Sequence, residues 1–425
     1  MIMPGVFSDP SERLLTERIP IQFFCLALVS HVLFWLGLGL RSEEVMGYYS
    51  ADWSVLSVLH VLTVGVLLTV ALGASLQMLP VALNQNAPKS LACDGIFITL
   101  CLGLCLLVCG FEYPSVLILQ HGAVILFVAA FLYVVTVGPM LMRAKVQGHA
   151  RRFLALSHVG LIALTSIGTV IALNYSLAFL DFPLSMTRAH AIIGGLGVMG
   201  ALVLGFSLIL VPMLALARPT ATQLVPMTFA CVVLSMGLGM YAAWAEQEAW
   251  GIAASVCFLF AALCHVEVMR RTLAKRMKDN LGTAFVLIRA SWIGLVLTAV
   301  ACVAATIWPE WDRWTVVIGW LALVGWLLTL LMGVLQRVIP FLASMNAGRD
   351  GGAPVPVSRL TTALPFQVHM IMHLCAVASG ALALILEQNG LLVIAAILGC
   401  AGALSFCLAA VTTGMRLRRL RQFAT

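Results

Sequence analysis

Residues 60–80, 190–212 and 320–340 read HVLTVGVLLTVALGASLQMLP, HAIIGGLGVMGALVLGFSLILVP and WLALVGWLLTLLMGVLQRVIP. The first two contain no charged residue, and the third contains only Arg337, close to its end. About 20 apolar residues are enough to cross a bilayer as a helix. None of the three alternates apolar with polar as a barrel strand would. Backbone groups in lipid must be satisfied within the segment, so these runs are expected to be transmembrane helices.

The three stretches also resemble one another. Each carries a glycine five residues after its leading residue (Gly65, Gly195, Gly325) and another seven before its closing proline (Gly73, Gly205, Gly333). The leading residues His60, His190 and Trp320 are 130 positions apart. A second set runs in parallel: LALVSHV, LALSHVG and RASWIGL place His31, His158 and Trp292 at corresponding points. A fixed period of this kind marks internal repetition.

Outward from these anchors, apolar runs bounded by charge, Gly or Pro give twelve expected helices. They are α1 (20–41), α2 (54–83), α3 (91–111), α4 (115–142), α5 (152–178), α6 (189–217), α7 (222–245), α8 (250–270), α9 (283–308), α10 (314–342), α11 (364–387) and α12 (390–415). The expected fold is an all-α integral membrane protein, one membrane domain of three quasi-equivalent four-helix units at about 20–142, 152–270 and 283–415. Composition agrees: 62% of the 425 residues are hydrophobic and 10% charged, with mean hydropathy +1.06. A soluble domain is nearer 45–50% apolar and about 25% charged. A water-soluble globule, a disordered chain and a nucleic-acid binder are excluded on that ground. The twelve cysteines lie in or beside apolar runs, which predicts buried free thiols rather than a disulfide framework.

The net charge of +7 is a matter of sides. With twelve spans, 20 of the 24 Lys and Arg residues fall on the side of the termini, and Arg41, Arg188 and Arg313 on the other. The positive-inside rule then puts both termini in the cytoplasm. The first 19 residues mix acids and bases and lead straight into α1, so no cleavable signal is expected. No Asp or Glu lies in the middle of a run, which counts against proton pumping or proton-coupled transport.

At this point the chain resembles subunit I of the haem–copper oxidase and nitric oxide reductase superfamily. His60 through GASLQMLP to Pro80 is similar to that family's second helix, which begins with a haem-ligating histidine and ends at a proline. AHAIIGGLGVMGALVLGF resembles NnrS-type haem and copper membrane proteins, and QRVIPFL resembles uncharacterised oxidase-like proteins. The resemblance implies a twelve-helix bundle in the bacterial cytoplasmic membrane, haem b, and work in respiration or in nitric oxide, haem or copper handling. It implies respiratory complexes or a c-type cytochrome as partners. Two departures limit it. Ile318-Gly319-Trp320 stands where the family's α10 carries His-x-His, and α7 (LVPMTFACVVLSMGLGMYAAW) has no histidine. Haem–copper oxygen or NO reduction is therefore not expected.

Histidine is rare in membrane spans and marks candidate function. His60 and His190, at one depth, are expected as axial haem ligands, with Arg188 pairing a propionate; the alternative is interhelical hydrogen bonding. His31 and His158 are a second pair, as ligands or as their supporting partners. His369 and His373, four apart on α11 and close to Met370, Met372 and Cys375, suit copper or haem; the alternative is a polar face. Trp292 and Trp320 replace repeat histidines, filling haem-sized space or stacking on a haem. Two rival functions stay open: a permease or copper carrier, and a cofactor-free assembly subunit.

Overall fold

Lipid leaves a long apolar run one way to satisfy its amides, and the chain takes it twelve times. The computed structural model describes residues 15–47, 52–143, 148–180, 183–220, 222–347 and 355–422. Helices long and apolar enough to span a membrane are α1 Arg18–Leu40, α2 Trp53–Leu83, α3 Ser90–Glu112, α4 Val116–Arg143, α5 Gly148–Leu177 and α6 Leu184–Ala215. They continue with α7 Leu224–Ala245, α8 Glu248–Leu273, α9 Gly282–Ile307, α10 Trp314–Met345, α11 Ala363–Leu386 and α12 Asn389–Leu420. The protein is an all-α, twelve-helix, multi-pass membrane protein, and no strand occurs among the described residues. Among the charges sorted by side, Arg13, Lys145 and Arg349 lie outside the described residues.

Local chemistry sets several ends. Asp52 caps α2 by accepting from the Ser54 amide at 2.8 Å and the Ser54 hydroxyl at 2.6 Å. Those bonds, the hydroxyl's first, hold its carboxyl below the usual carboxylate range. Asn84, Glu246 and Glu387 close α2, α7 and α11 in the left-handed region. α5 and α12 run further into their basic flanks than the apolar pattern suggests, because Lys and Arg stems cover apolar surface while their heads reach water.

The repeat helices share a departure from α geometry. A π-helical segment occupies Val61–Leu68 in α2, Ile193–Gly200 in α6 and Leu321–Leu328 in α10. Each segment starts 19 residues before its proline (Pro80, Pro212, Pro340), and the helix continues through that proline. π-Helix is rare, and its short insertions cluster at functional sites. The common register aligns His60, Ile192 and Trp320, so the expected equivalence of His60 with His190 is corrected. His190 sits two residues earlier, about 200° further round its helix. The aligned glycines are Gly65, Gly197 and Gly325 rather than Gly65, Gly195 and Gly325. Two of these are contact points. A Cβ on Gly160 of α5 would meet the Gly197 carbonyl at 2.8 Å, and one on Gly294 of α9 would collide with the Gly325 carbonyl.

The chain divides into two compact units. The first comprises Met1–Ala27 and Leu68–Ile209, with α3 on α4, α4 on α5 and α5 on α6. The second comprises Leu28–Leu67 and Leu210–Thr425; there α7 packs on α8, α8 on α9, α9 on α10, and α11 on α12. Polarity is inverted relative to a soluble protein. Ile98, Phe131, Val159, Ile293 and Leu404 are exposed, whereas His31, His158, His265, His369, His373, Gln77 and Gln336 are buried. The exposed apolar side chains are the surface that lipid covers. All twelve cysteines are free, as expected, but Cys25, Cys105, Cys109 and Cys375 face outward.

Candidate functional site

In the second unit α1, α10, α11 and α12 bring three histidines together in mid-span. By helix rise, His31 lies about 20 Å along α1, and His369 and His373 lie about 9 and 15 Å along α11. All three are buried. His369 and His373, one helical turn apart, stack at 5.5 Å and 25°. The His31 ring stands 6.4 Å from each of them, edge-on. The sequence pairs His31 with His158 and treats His369 and His373 separately; the fold instead places His31 with the α11 pair.

Hydrogen bonds fix the proton on each ring. The Trp35 indole donates to His31 Nε2 at 3.0 Å. An indole only donates, so His31 carries its proton on Nδ1. Gln336 Nε2 donates to the Phe366 carbonyl at 3.3 Å, which identifies it as the amide nitrogen; it also donates to His369 Nδ1 at 3.0 Å. Thr283 donates to Gln336 Oε1 at 2.7 Å and holds the amide in that orientation. His369 therefore carries its proton on Nε2. Thr329 gives its one hydroxyl hydrogen to the Val324 carbonyl at 2.7 Å, so it accepts from His373 Nε2 at 2.9 Å. His373 is then protonated on Nε2 and bare on Nδ1. His31 Nδ1 and His369 Nε2 are buried and have no partner among the described residues.

The walls are aromatic. Trp35 lies against Gly399 of α12, and Trp320 lies against Gly380 of α11; neither position has room for a Cβ. Trp320 also donates to the Val377 carbonyl at 3.0 Å and meets Trp35 edge-on at 6.1 Å. Phe406 closes on His369 at 4.8 Å. Trp320 thus fills space beside the cluster.

The first unit treats its histidines differently. His158 on α5 is buried and donates from Nδ1 to the Leu154 carbonyl at 2.7 Å. A carbonyl only accepts, so the lone pair is on Nε2, which is buried with no partner among the described residues. The Tyr133 ring of α4 stacks on this imidazole at 5.1 Å and 25°. His190 packs against α5 where Gly168 leaves room; a Cβ there would stand 3.0 Å from the ring.

His60 belongs to the second unit and is half-buried; its Nδ1 donates to the Leu56 carbonyl at 2.7 Å, placing its lone pair on Nε2 as in His158. Arg188 is exposed on the first unit and makes no ion pair with a described residue, whereas Arg41 pairs with Glu44 at 3.3 Å and Arg313 with Glu387 at 3.0 Å. Trp292 is buried with its indole N–H unpartnered among the described residues. Trp35, Gln336, Thr329 and Tyr133 escape the sequence reading. Trp35 alone carries a local signal, four residues after His31 on one helical face.

No protein-family model matches the chain, and no curated protein matches it.

Proposed function

We propose that the chain is a haem-b-binding protein of the bacterial cytoplasmic membrane, with both termini in the cytoplasm. It acts in respiratory electron transfer or in nitric oxide, haem or copper handling, without a haem–copper reduction centre. The observation that carries this reading is His158 Nε2. Its tautomer is fixed by the Leu154 carbonyl, and its lone pair is buried and unpartnered among the described residues. An unsatisfied buried acceptor costs about 1–3 kcal/mol, and a bound Lewis acid removes that cost. An axial imidazole needs this arrangement, the far nitrogen bonded and the near one bare.

Bound haem supplies a one-electron couple whose potential follows its ligands and burial. The chain's own part is narrower. Leu154 orients His158, Tyr133 fixes the plane of its ring, and Leu56 sets the same tautomer in His60. Exposed Arg188 offers a charge for a propionate. The 20:3 distribution of basic residues supports the orientation, and the missing histidines of α7 and α10 support the absence of the reduction centre.

Copper at His369 and His373 fits less well. His369 presents an N–H rather than a lone pair, and no group of three His, Cys, Asp or Glu among the described residues is placed to hold a metal.

The deciding experiment is an absorption spectrum of the protein purified from haem-replete cells. A Soret band is expected in the wild type, lost in His158→Ala. A wild-type protein without that band overturns the proposal.

A further inference from the structure

The cluster in the second unit is out of balance, and the imbalance has a sign. His31 Nδ1–H and His369 Nε2–H are donors on rings 1% and 0% exposed, and neither has an acceptor among the described residues. His31 faces both α11 rings at the same 6.4 Å, so the surplus donors belong to one cluster. A cation would meet hydrogens where it needs lone pairs. The missing partner is therefore an acceptor.

An anion alone is opposed by the cost of burying charge. The cluster contains its own remedy. His373 Nδ1 is bare because its Nε2 hydrogen goes to Thr329. One proton on that nitrogen adds a third N–H donor and the compensating charge. We propose that His31, His369 and His373 form a mid-membrane site for a small monovalent anion taken up together with one proton. Trp35, Trp320 and Phe406 wall the site and keep the guest small.

No other charge competes for this role. On the neighbouring helices the charged groups are Arg289 of α9, Arg337 of α10 and the basic residues of α12 from Arg416 onward, with Arg41 just beyond α1. Arg337 donates to the Leu281 carbonyl, Arg416 to Thr361 at 2.8 Å, and Arg41 pairs with Glu44. The neighbouring thiols are Cys302 of α9, Cys375 of α11, and Cys400 and Cys407 of α12; the last two contact the Val32 and Leu28 carbonyls at 4.0 Å. None of these side chains hydrogen-bonds to the three histidines among the described residues.

The test is titration of the full-length protein in detergent with formate, at pH values one unit apart across the histidine range (about 5.5 to 7.5). Above the pKa of the bound proton, affinity is expected to fall about tenfold per pH unit. His31→Asn and His369→Gln keep an amide N–H near the lost one and should bind within about tenfold of wild type. His31→Leu and His369→Leu should lose about tenfold to a hundredfold, the cost of a charge-assisted hydrogen bond. His373→Gln keeps a donor toward Thr329 but no base, so its binding should lose the pH slope. If the leucine variants fail to fold, the wild-type slope and the amide variants still decide.

Formate binding without a pH slope overturns the proposal, as does equal binding by the leucine variants, which marks an adventitious ion only. Absence of binding by formate, chloride and nitrite alike overturns it in favour of trapped water. Zinc or copper binding lost in the same variants overturns it in favour of a metal. The Soret region is recorded throughout: an anion that binds only with a Soret shift is on haem and overturns this assignment. A sample with no Soret band leaves the titration fully interpretable.

Discussion

His158 and His31 stand at corresponding points of LALSHVG and LALVSHV, and their surroundings give them opposite chemistry. Both are buried, and both carry the proton on Nδ1. In the first unit that proton goes to the residue's own helix and the bare nitrogen is left over. In the second the bare nitrogen takes the Trp35 hydrogen and the N–H is left over. One position therefore presents a base and the other an acid. The difference lies in which ring nitrogen the neighbours occupy first.

The largest test of this contrast is substitution at the two positions. His158→Ala is expected to abolish the Soret band and His31→Ala to leave it in place; the reverse pattern in absorption spectra breaks the comparison. Next are the glycines that seat α5 on α6 and α9 on α10. Gly160→Ala and Gly294→Ala should each lower stability by about 1–3 kcal/mol through overpacking, measured by thermal unfolding in detergent. A large effect at one and none at the other would mean that the two contacts are not built alike. Third, Trp35→Phe removes the hydrogen that fixes His31. It should cost about 1 kcal/mol, and the His31 side-chain nitrogen shifts in NMR should become those of a tautomer mixture.

The smallest expected effect is at Asp52. Asp52→Ala should cost about 1 kcal/mol by loss of the N-cap. Because the folded carboxyl titrates below its ordinary value, the cap's contribution is fully present above the unfolded pKa of about 3.9. It is lost as pH falls through the lower folded value. The wild type and Asp52→Ala should therefore converge in unfolding scans only under strongly acid conditions.

Much of this was legible in the sequence because lipid reads sequence coarsely. Hydropathy alone places all twelve helices, with ends off by a few residues where Arg and Lys continue the helix into water. The π segments were not legible, since VLTVGVLL suits an α-helix as well as a π-helix. That is why His190 was aligned with His60: counting from leading residues misses a register set by backbone hydrogen bonding. His369 and His373 could be placed on one face of α11 from their spacing. Their meeting with His31 depends on the packing of α1 in the second unit, which no local pattern encodes. Nor does a local pattern disclose that Thr329 and Gln336 dictate which nitrogens are bare.

The π segment of α10 has a consequence for how the gene tolerates change. A π turn holds one residue more than an α turn, and Thr329 and Gln336 follow directly behind Leu321–Leu328. Deleting any one residue of that segment would restore ordinary helix but turn everything after it by about 100°. Thr329 would leave His373, and Gln336 would leave His369. At this point of the chain the number of residues is under tighter constraint than their identity. Swaps among Leu, Val and Ala are tolerable where a three-base deletion is not.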